Sequence, residues 1–241
     1  MRLVSSSLQL IEIQGEQMET PVNSAPLFAA LDAEAADALR SSMVEVKAKK
    51  GAIIFAEGEP GDRLYVITTG KVTLGHKAKD GRETLLGVLG PGEMFGELSL
   101  FDPGTRTASA VALTDVKLLG LSRDALRPWL TGRPEVALKL LQALAQRLRR
   151  TEDAMADLVF SDVPGRVAKA LLALSDKFGV FKNGELYIEH DMTQEELAQL
   201  VGASRETVNK ALAEFVNRGW MKVEQRSVTI IDLERIQRRS S

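Results

Sequence analysis

The chain has 241 residues, 44% hydrophobic and 27% charged, with a formal net charge of −2; that is enough for two compact domains and requires any nucleic-acid surface to be local. It contains no cysteine, which excludes disulfides, thiolate metal sites and cysteine-held iron–sulfur clusters. No apolar run approaches the ~20 residues of a membrane span, so no membrane partner is expected and the cytoplasm is the expected location.

The first 24 residues read as a tail. Leu3 and Val4 run straight into Ser5, Ser6 and Ser7, without the continuous apolar core of a secretory signal. The stretch before Met18 is expected to be an upstream extension, which N-terminal sequencing of native protein would test. Ala25 to Ser42 predicts a helix with Leu27, Phe28, Leu31 and Leu39 near one face. From Met43 the pattern changes to short β segments: Val44–Ala48, Ala52–Ala56, Leu64–Thr68, Lys71–His76, Thr84–Leu89, Ser109–Leu113 and Val116–Leu121. Turn formers separate them, among them Lys50-Gly51, Gly58 to Asp62, Thr69-Gly70, Lys79-Asp80-Gly81 and Gly90-Pro91-Gly92. Many short strands at this cadence predict a jelly-roll-like barrel.

Ser122 caps a short helix to about Leu130, and Thr131-Gly132-Arg133-Pro134 ends it and opens a long one. From Arg133 to Phe160 the residues Leu141, Leu144, Leu148, Met155 and Leu158 step by threes and fours, the spacing of a helix that packs on another helix. At ~1.5 Å per residue it would span roughly 42 Å, too long to fold back inside a small domain. The seam position between Leu148 and Met155 is Thr151. A polar residue there either fixes the register of a dimer or meets a ligand, and both readings are open.

A break at Ser161 to Gly165, with Asp162 as N-cap, starts a helix to about Phe178 and is the expected hinge. Lys182-Asn183-Gly184 turns a hairpin before Leu186–Ile188. Thr193 to Glu196 is a capping box opening a helix to Val201; Gly202 turns the chain and Ser204 caps a second helix to about Asn217. Trp220–Val223 and Val228–Ile231 are expected to pair as a two-stranded wing. In the second helix Val208, Ala211, Leu212, Phe215 and Val216 form a core-facing stripe. That leaves Arg205, Glu206, Asn209 and Lys210 on the other face, either a solvated surface or a set of groups suited to base edges.

A second constellation lies between Phe95 and Ala108. An anion needs a guanidinium, hydroxyls and free backbone N–H groups converging on one point. Arg106 and Thr107 supply the first two, and Gly96-Glu97-Leu98 can turn its amides inward. Glu97 suits a ribose hydroxyl rather than a phosphate. On residue chemistry alone, a solvated Glu and Arg around a Pro-Gly loop is an equal alternative.

Glu57-Gly58-Glu59-Pro60-Gly61-Asp62, Gly70, Phe95 to Leu98, Arg106-Thr107-Ala108, the run from Phe160 to Arg166 and the helix pair 193–217 resemble the cyclic-AMP receptor protein (CRP/FNR) family, most nearly its actinobacterial global regulators. The resemblance implies an α+β chain: a cyclic-nucleotide-binding jelly-roll barrel at 25–132, a dimerisation helix at 133–161 and a winged helix-turn-helix at 162–241. It further implies that Gly96, Glu97 and Leu98 line the cyclic-nucleotide site, with Glu97 on the ribose, Arg106 and Thr107 on the cyclic phosphate and Thr151 on the adenine. Arg147 falls where the family pairs an arginine with the ribose-binding glutamate; a solvated Arg beside Arg149 and Arg150 is the other reading. Where the family reaches the partner subunit's ligand with serine or asparagine, this chain has Glu152, which puts that contact in question. Thr107 leaves cyclic GMP open; cyclic AMP is the expected ligand.

Ser204 to Val208 is similar to the family's recognition motif Ser-Arg-Glu-Thr-Val, which points Arg205, Glu206, Asn209 and Lys210 at bases, with Thr193, Ser204 and the wing on phosphates. Expected partners are double-stranded DNA with TGTGA-like half-sites in an inverted repeat, a second copy of the chain, and RNA polymerase. A same-fold regulator that needs no nucleotide, or senses another small molecule, is the alternative. An enzyme is not expected: there is no phosphate-binding loop of Walker spacing, no histidine–carboxylate cluster for a metal or a base, and His76 and His190 are the only histidines.

Overall fold

The computed structural model describes residues 21–78, 81–102 and 104–240. The expected start at Met18, Lys79 and Asp80 of the predicted turn, and Pro103 lie outside the described residues. A 3₁₀ turn at Pro21–Ser24 precedes α1 (Ala33–Ser41). The expected single helix from Ala25 is therefore shorter: Asp32 sits in extended backbone and its side chain accepts from the Ala35 N–H at 2.8 Å, which starts the helix there. The turns before it still bury Leu27 and Phe28, and Val22, from the expected tail, lies in the same core.

The next strands are β1 (Val44–Ala48), β2 (Ile53–Phe55), β3 (Arg63–Thr69), β4 (Val72–Lys77), β5 (Glu83–Leu89) and β6 (Met94–Phe95). A single-turn helix, α2 (Leu98–Phe101), separates them from β7 (Ser109–Ala112) and β8 (Val116–Ser122). They form two antiparallel four-stranded sheets, ordered β1-β8-β3-β6 and β2-β7-β4-β5, which is the expected jelly roll. The strand period of two explains its core. Ile67 and Leu118 point between the sheets against Phe55, Val72 and Phe95, while Leu64, Val66 and Leu121 point outward, under the flanking helices. The short β6 carries no periodic signal and was not expected from the sequence.

Then come α3 (Arg123–Gly132), capped by Ser122, and α4 (Pro134–Phe160), which runs without interruption for 27 residues. Val136 and Leu140 seat its first turns on the sandwich. Beyond them its apolar residues are uncovered: Leu141, Leu148, Met155, Leu158, Val159 and Phe160 are all more than half exposed. The break at Ser161 is as expected, with Asp162 accepting from the Gly165 N–H at 2.9 Å.

The remainder is α5 (Val163–Phe178), β9 (Gly179–Lys182), β10 (Glu185–Glu189), α6 (Gln194–Val201), α7 (Arg205–Asn217), β11 (Met221–Val223), β12 (Ser227–Ile230) and α8 (Leu233–Arg239). The two wing strands pair as expected, β11 with β12, but the sheet does not stop there. β12 also pairs with β10, giving a four-stranded sheet ordered β11-β12-β10-β9. Long-range pairing of that kind leaves no local signature. This core reaches across to the sandwich, where Val88 and Leu113 join it. At the joint Lys71 contacts Asp191 at 2.6 Å and lies 4.4 Å over the Phe178 ring, and Lys177 contacts Glu93 at 2.9 Å. No described helix is long and apolar enough to cross a membrane.

Candidate functional site

The sandwich carries a pocket lined by Phe55, Leu74, Gly96, Leu98, Ser99, Arg106, Thr107, Ala108 and Arg147. Its floor is set by the turn after β6. Gly96 takes a φ of 78°, which releases the chain from the strand and sends it into α2. Glu97 follows at the helix start but does not cap it. Its carboxylate, 1% exposed, meets the Arg147 guanidinium of α4 at 2.7 Å through Oε1, while Oε2 has no partner among the described residues. The structure therefore pairs the two residues, and Arg147 is not simply solvated.

Arg106 stands opposite. Its backbone is held by the Glu57–Asp62 segment: its N–H donates to the Glu59 carbonyl at 2.7 Å, and its own carbonyl accepts from Gly58 at 2.9 Å. The residue is 4% exposed, and its guanidinium stacks on Phe55 with 4.1 Å to the ring centre. Nη1 donates to the Gly96 carbonyl at 2.8 Å and to Ser99 Oγ at 3.0 Å, and Nη2 to the Arg63 carbonyl at 2.7 Å; Nε is buried with no acceptor among the described residues. Burial holds its pKa below the ordinary arginine value, opposed by Tyr65, Asp62, Glu59 and Glu97. Because arginine does not lose its proton in proteins, that shift is a desolvation cost rather than a titration. A buried donor and a buried acceptor left unpaired cost ~1–3 kcal/mol each, so both call for outside partners: an acceptor at Arg106 Nε and a donor at Glu97 Oε2. A phosphate oxygen is such an acceptor and a ribose hydroxyl such a donor.

Thr107 lies on the exposed rim of this pocket, and Leu98 is also exposed. Thr151 is one turn beyond Arg147, exposed on the seam of α4, and its hydroxyl donates to the Arg147 carbonyl at 3.0 Å, leaving only lone pairs to offer. Glu152 is exposed beside it. Within one chain neither lines the pocket.

In the helix pair, Thr193 and Glu196 form the expected capping box, Gly202 turns with φ 69°, and Ser204 accepts from the Thr207 N–H at 3.2 Å. Both putting-in-place caps leave Thr193 and Ser204 at exposed helix starts. Arg205, Glu206 and Lys210 are exposed, with Glu206 and Lys210 paired at 2.7 Å. Two expectations need correction. Val216 is 40% exposed and lies outside the stripe, which consists of Val208, Ala211, Leu212 and Phe215. Asn209 is half-buried with its Oδ1 enclosed and without a partner among the described residues, because it sits at the edge of that stripe rather than opposite it.

Sequence reasoning missed two residues here. Ser99 and its contact to Arg106 depend on the turn at Gly96, and no pattern announces them. Arg166 ties the end of α4 to the turn between α6 and α7, donating to the carbonyls of Ser161 at 2.8 Å, Val201 at 3.1 Å and Gly202 at 3.3 Å. It lay at the end of a matched motif without an assigned role.

Comparison with known proteins agrees with this division of labour. The model of the cyclic nucleotide-binding domain matches residues 45–131 and that of the Crp-like helix-turn-helix domain residues 165–239. The "CRP-like cAMP-activated global transcriptional regulator" of Mycobacterium tuberculosis is 54% identical over 223 residues, 92% of this chain and 100% of that protein. The "Cyclic AMP receptor protein" of Thermus thermophilus is 37% identical, covering 87% of this chain and 94% of its own. Among solved structures, FixK2 from Bradyrhizobium japonicum superposes with a TM-score of 0.76 at 25% identity, over 83% of this chain and 98% of that one.

Proposed function

The chain belongs to the CRP/FNR family of DNA-binding transcription regulators, and on that footing we propose that it is switched by cyclic AMP and works as a homodimer on inverted-repeat operators. The observation that carries this reading is a pair of unmet groups, Arg106 Nε on a residue of the pocket lining and Glu97 Oε2 on the residue between the lining residues Gly96 and Leu98, with Glu97 joined through Arg147 to the long helix. Arg106 and Thr107 hold the cyclic phosphate, with Gly96 and Leu98 shaping the floor, and Glu97 takes the ribose hydroxyl. Names of the two curated relatives point to the same ligand.

The uncovered seam of α4 is where a second copy packs. Leu141, Leu148 and Met155 repeat every seven residues, and Leu144, Thr151 and Leu158 do the same, which gives the two ladders of a coiled coil. In that arrangement Thr151 meets the adenine and Glu152 faces the partner's ligand. Ligand strengthens one arrangement of the paired helices over another, and it acts only to the extent of that preference. The change passes through the Ser161–Asp162 break and Arg166 to the start of α7. There Arg205, Glu206 and Lys210 meet base edges, and Thr193 and Ser204 meet phosphates. RNA polymerase is the further partner, and the cytoplasm the site of action.

Calorimetric titration with cyclic AMP and cyclic GMP, followed by DNA-shift assays with and without the tighter binder, tests this. Saturable cyclic AMP binding that raises affinity for an inverted repeat is expected. DNA binding indifferent to either nucleotide would favour a nucleotide-independent regulator.

A further inference from the structure

Ser99 belongs to no expected site, yet the pocket is built most closely around it. It is 4% exposed, on the single turn of α2 that follows Glu97. Its Oγ lies 3.4 Å from the Gly96 carbonyl, to which it donates, so that a lone pair faces Arg106 Nη1 at 3.0 Å. Gly61 makes room for it: a Cβ at that position would stand 2.0 Å from Ser99 Oγ and 2.4 Å from Ser99 Cβ. Gly61, unlike Gly58 in the same segment, is thus required by the serine and not by its own backbone angle.

The donors of Arg106 can be counted. A guanidinium has five N–H groups. Gly96, Ser99 and Arg63 accept three, which leaves Nε–H and one Nη2–H. Nε and Nη2 share the side-on edge of the guanidinium, the fork that fits two oxygens of a phosphate. The Phe55 ring fixes the plane of the group. Rotation within that plane is fixed by the acceptors at its rim, and Ser99 is the only side chain among the three.

Resting on the nucleotide reading above, we propose that Ser99 is a positioning residue for the phosphate: it turns Arg106 so that its side-on fork, rather than its Nη1 end, meets the ligand. Ser99 itself does not touch the phosphate. A purely structural serine, holding α2 in place, would affect every ligand of the pocket alike. A serine that restrained Arg106 from the ligand would have the opposite sign.

The test uses the full-length protein with cyclic AMP and with adenosine, which lacks the phosphate, measured by calorimetry and by displacement of a fluorescent cyclic nucleotide. Ser99→Ala should weaken cyclic AMP binding roughly ten-fold, the loss of one hydrogen bond to a charged group, and leave adenosine within about two-fold. In an Arg106→Lys background, which keeps the charge and loses the fork, Ser99→Ala should add nothing. Unchanged or tighter cyclic AMP binding by Ser99→Ala would overturn the inference alone. So would an equal loss for adenosine, or the same loss on top of Arg106→Lys. Wild-type protein that binds neither cyclic nucleotide would overturn the inference together with the reading beneath it.

Discussion

Acidification should destabilise this protein through one buried side chain, His190. It is 4% exposed, and burial lowers its pKa from 6.5 to about 4, with Lys71 adding to the effect and Asp191 and Glu196 opposing it. The local bonding shows why. Nδ1 accepts from the Met192 N–H at 3.1 Å, and the backbone N–H groups of His190 and Asp191 both donate to the Arg226 carbonyl at 3.1 Å. Protonation would set an Nδ1–H against the Met192 N–H, two donors facing each other inside the core. Since the folded-state pKa is the lower one, the unfolded chain binds more protons between these values. The stabilising effect of neutral His190 is therefore complete above pH 6.5 and is lost as pH falls toward about 4.

The full gap corresponds to about 3 kcal/mol, of which about 2 kcal/mol is lost by pH 5. Urea unfolding at pH 7.5 and pH 5, at one protein concentration, reads this directly when wild type is compared with His190→Asn, whose amide oxygen can still accept from Met192. Wild type should lose about 2 kcal/mol more than the variant between the two pH values. Parallel losses would refute the reasoning, because a histidine that stays hydrated or keeps its proton in the folded state has no such linkage.

Arg106→Ala should reduce cyclic AMP binding below detection by calorimetry while leaving a folded dimer by light scattering; retained affinity would remove the phosphate contact. Leu148→Glu, at a position 60% exposed within one chain, should place like charges across the seam and shift sedimentation toward monomer at micromolar concentration. A dimer of undiminished strength would place the contact elsewhere. Glu206→Ala should relax selectivity at one base pair by ~1–3 kcal/mol in competition binding, whereas equal weakening on all sequences would make it a support for Lys210.

How far the sequence could be read depended on how local each signal was. The starts of α3, α5, α6 and α7 were legible because Ser122, Asp162, Thr193 and Ser204 each bond a backbone N–H only three residues on. The eight-strand sandwich followed from turn residues, although β6, with two residues, was too short to carry a period. The helix that was missed, α8, has only seven residues, and α2, with four, was legible only as the inward turn of amides at Gly96-Glu97-Leu98. Asn209 was assigned to the outer face of α7 by helical counting alone; the enclosure of its Oδ1 is a property of what packs beside it. The pocket was legible as a set of residue types, Glu97, Arg106 and Thr107, and its resemblance to a family supplied their roles.

The amino-acid sequence by itself determined the order of elements, the caps, the uncovered seam of α4 and the identities of the charged groups at the pocket, because each is written within a few neighbouring residues. Only the tertiary structure decided how those charges are used. It brought Arg147 to Glu97 across 50 positions and Lys71 to Asp191 across 120, and it set Ser99 against Arg106 by way of a glycine at 61. The physical reason is that a cap forms within one turn of chain. The choice of which donors of a buried guanidinium stay free is made by carbonyls and a hydroxyl that reach it from separate segments, once the sandwich has closed around them.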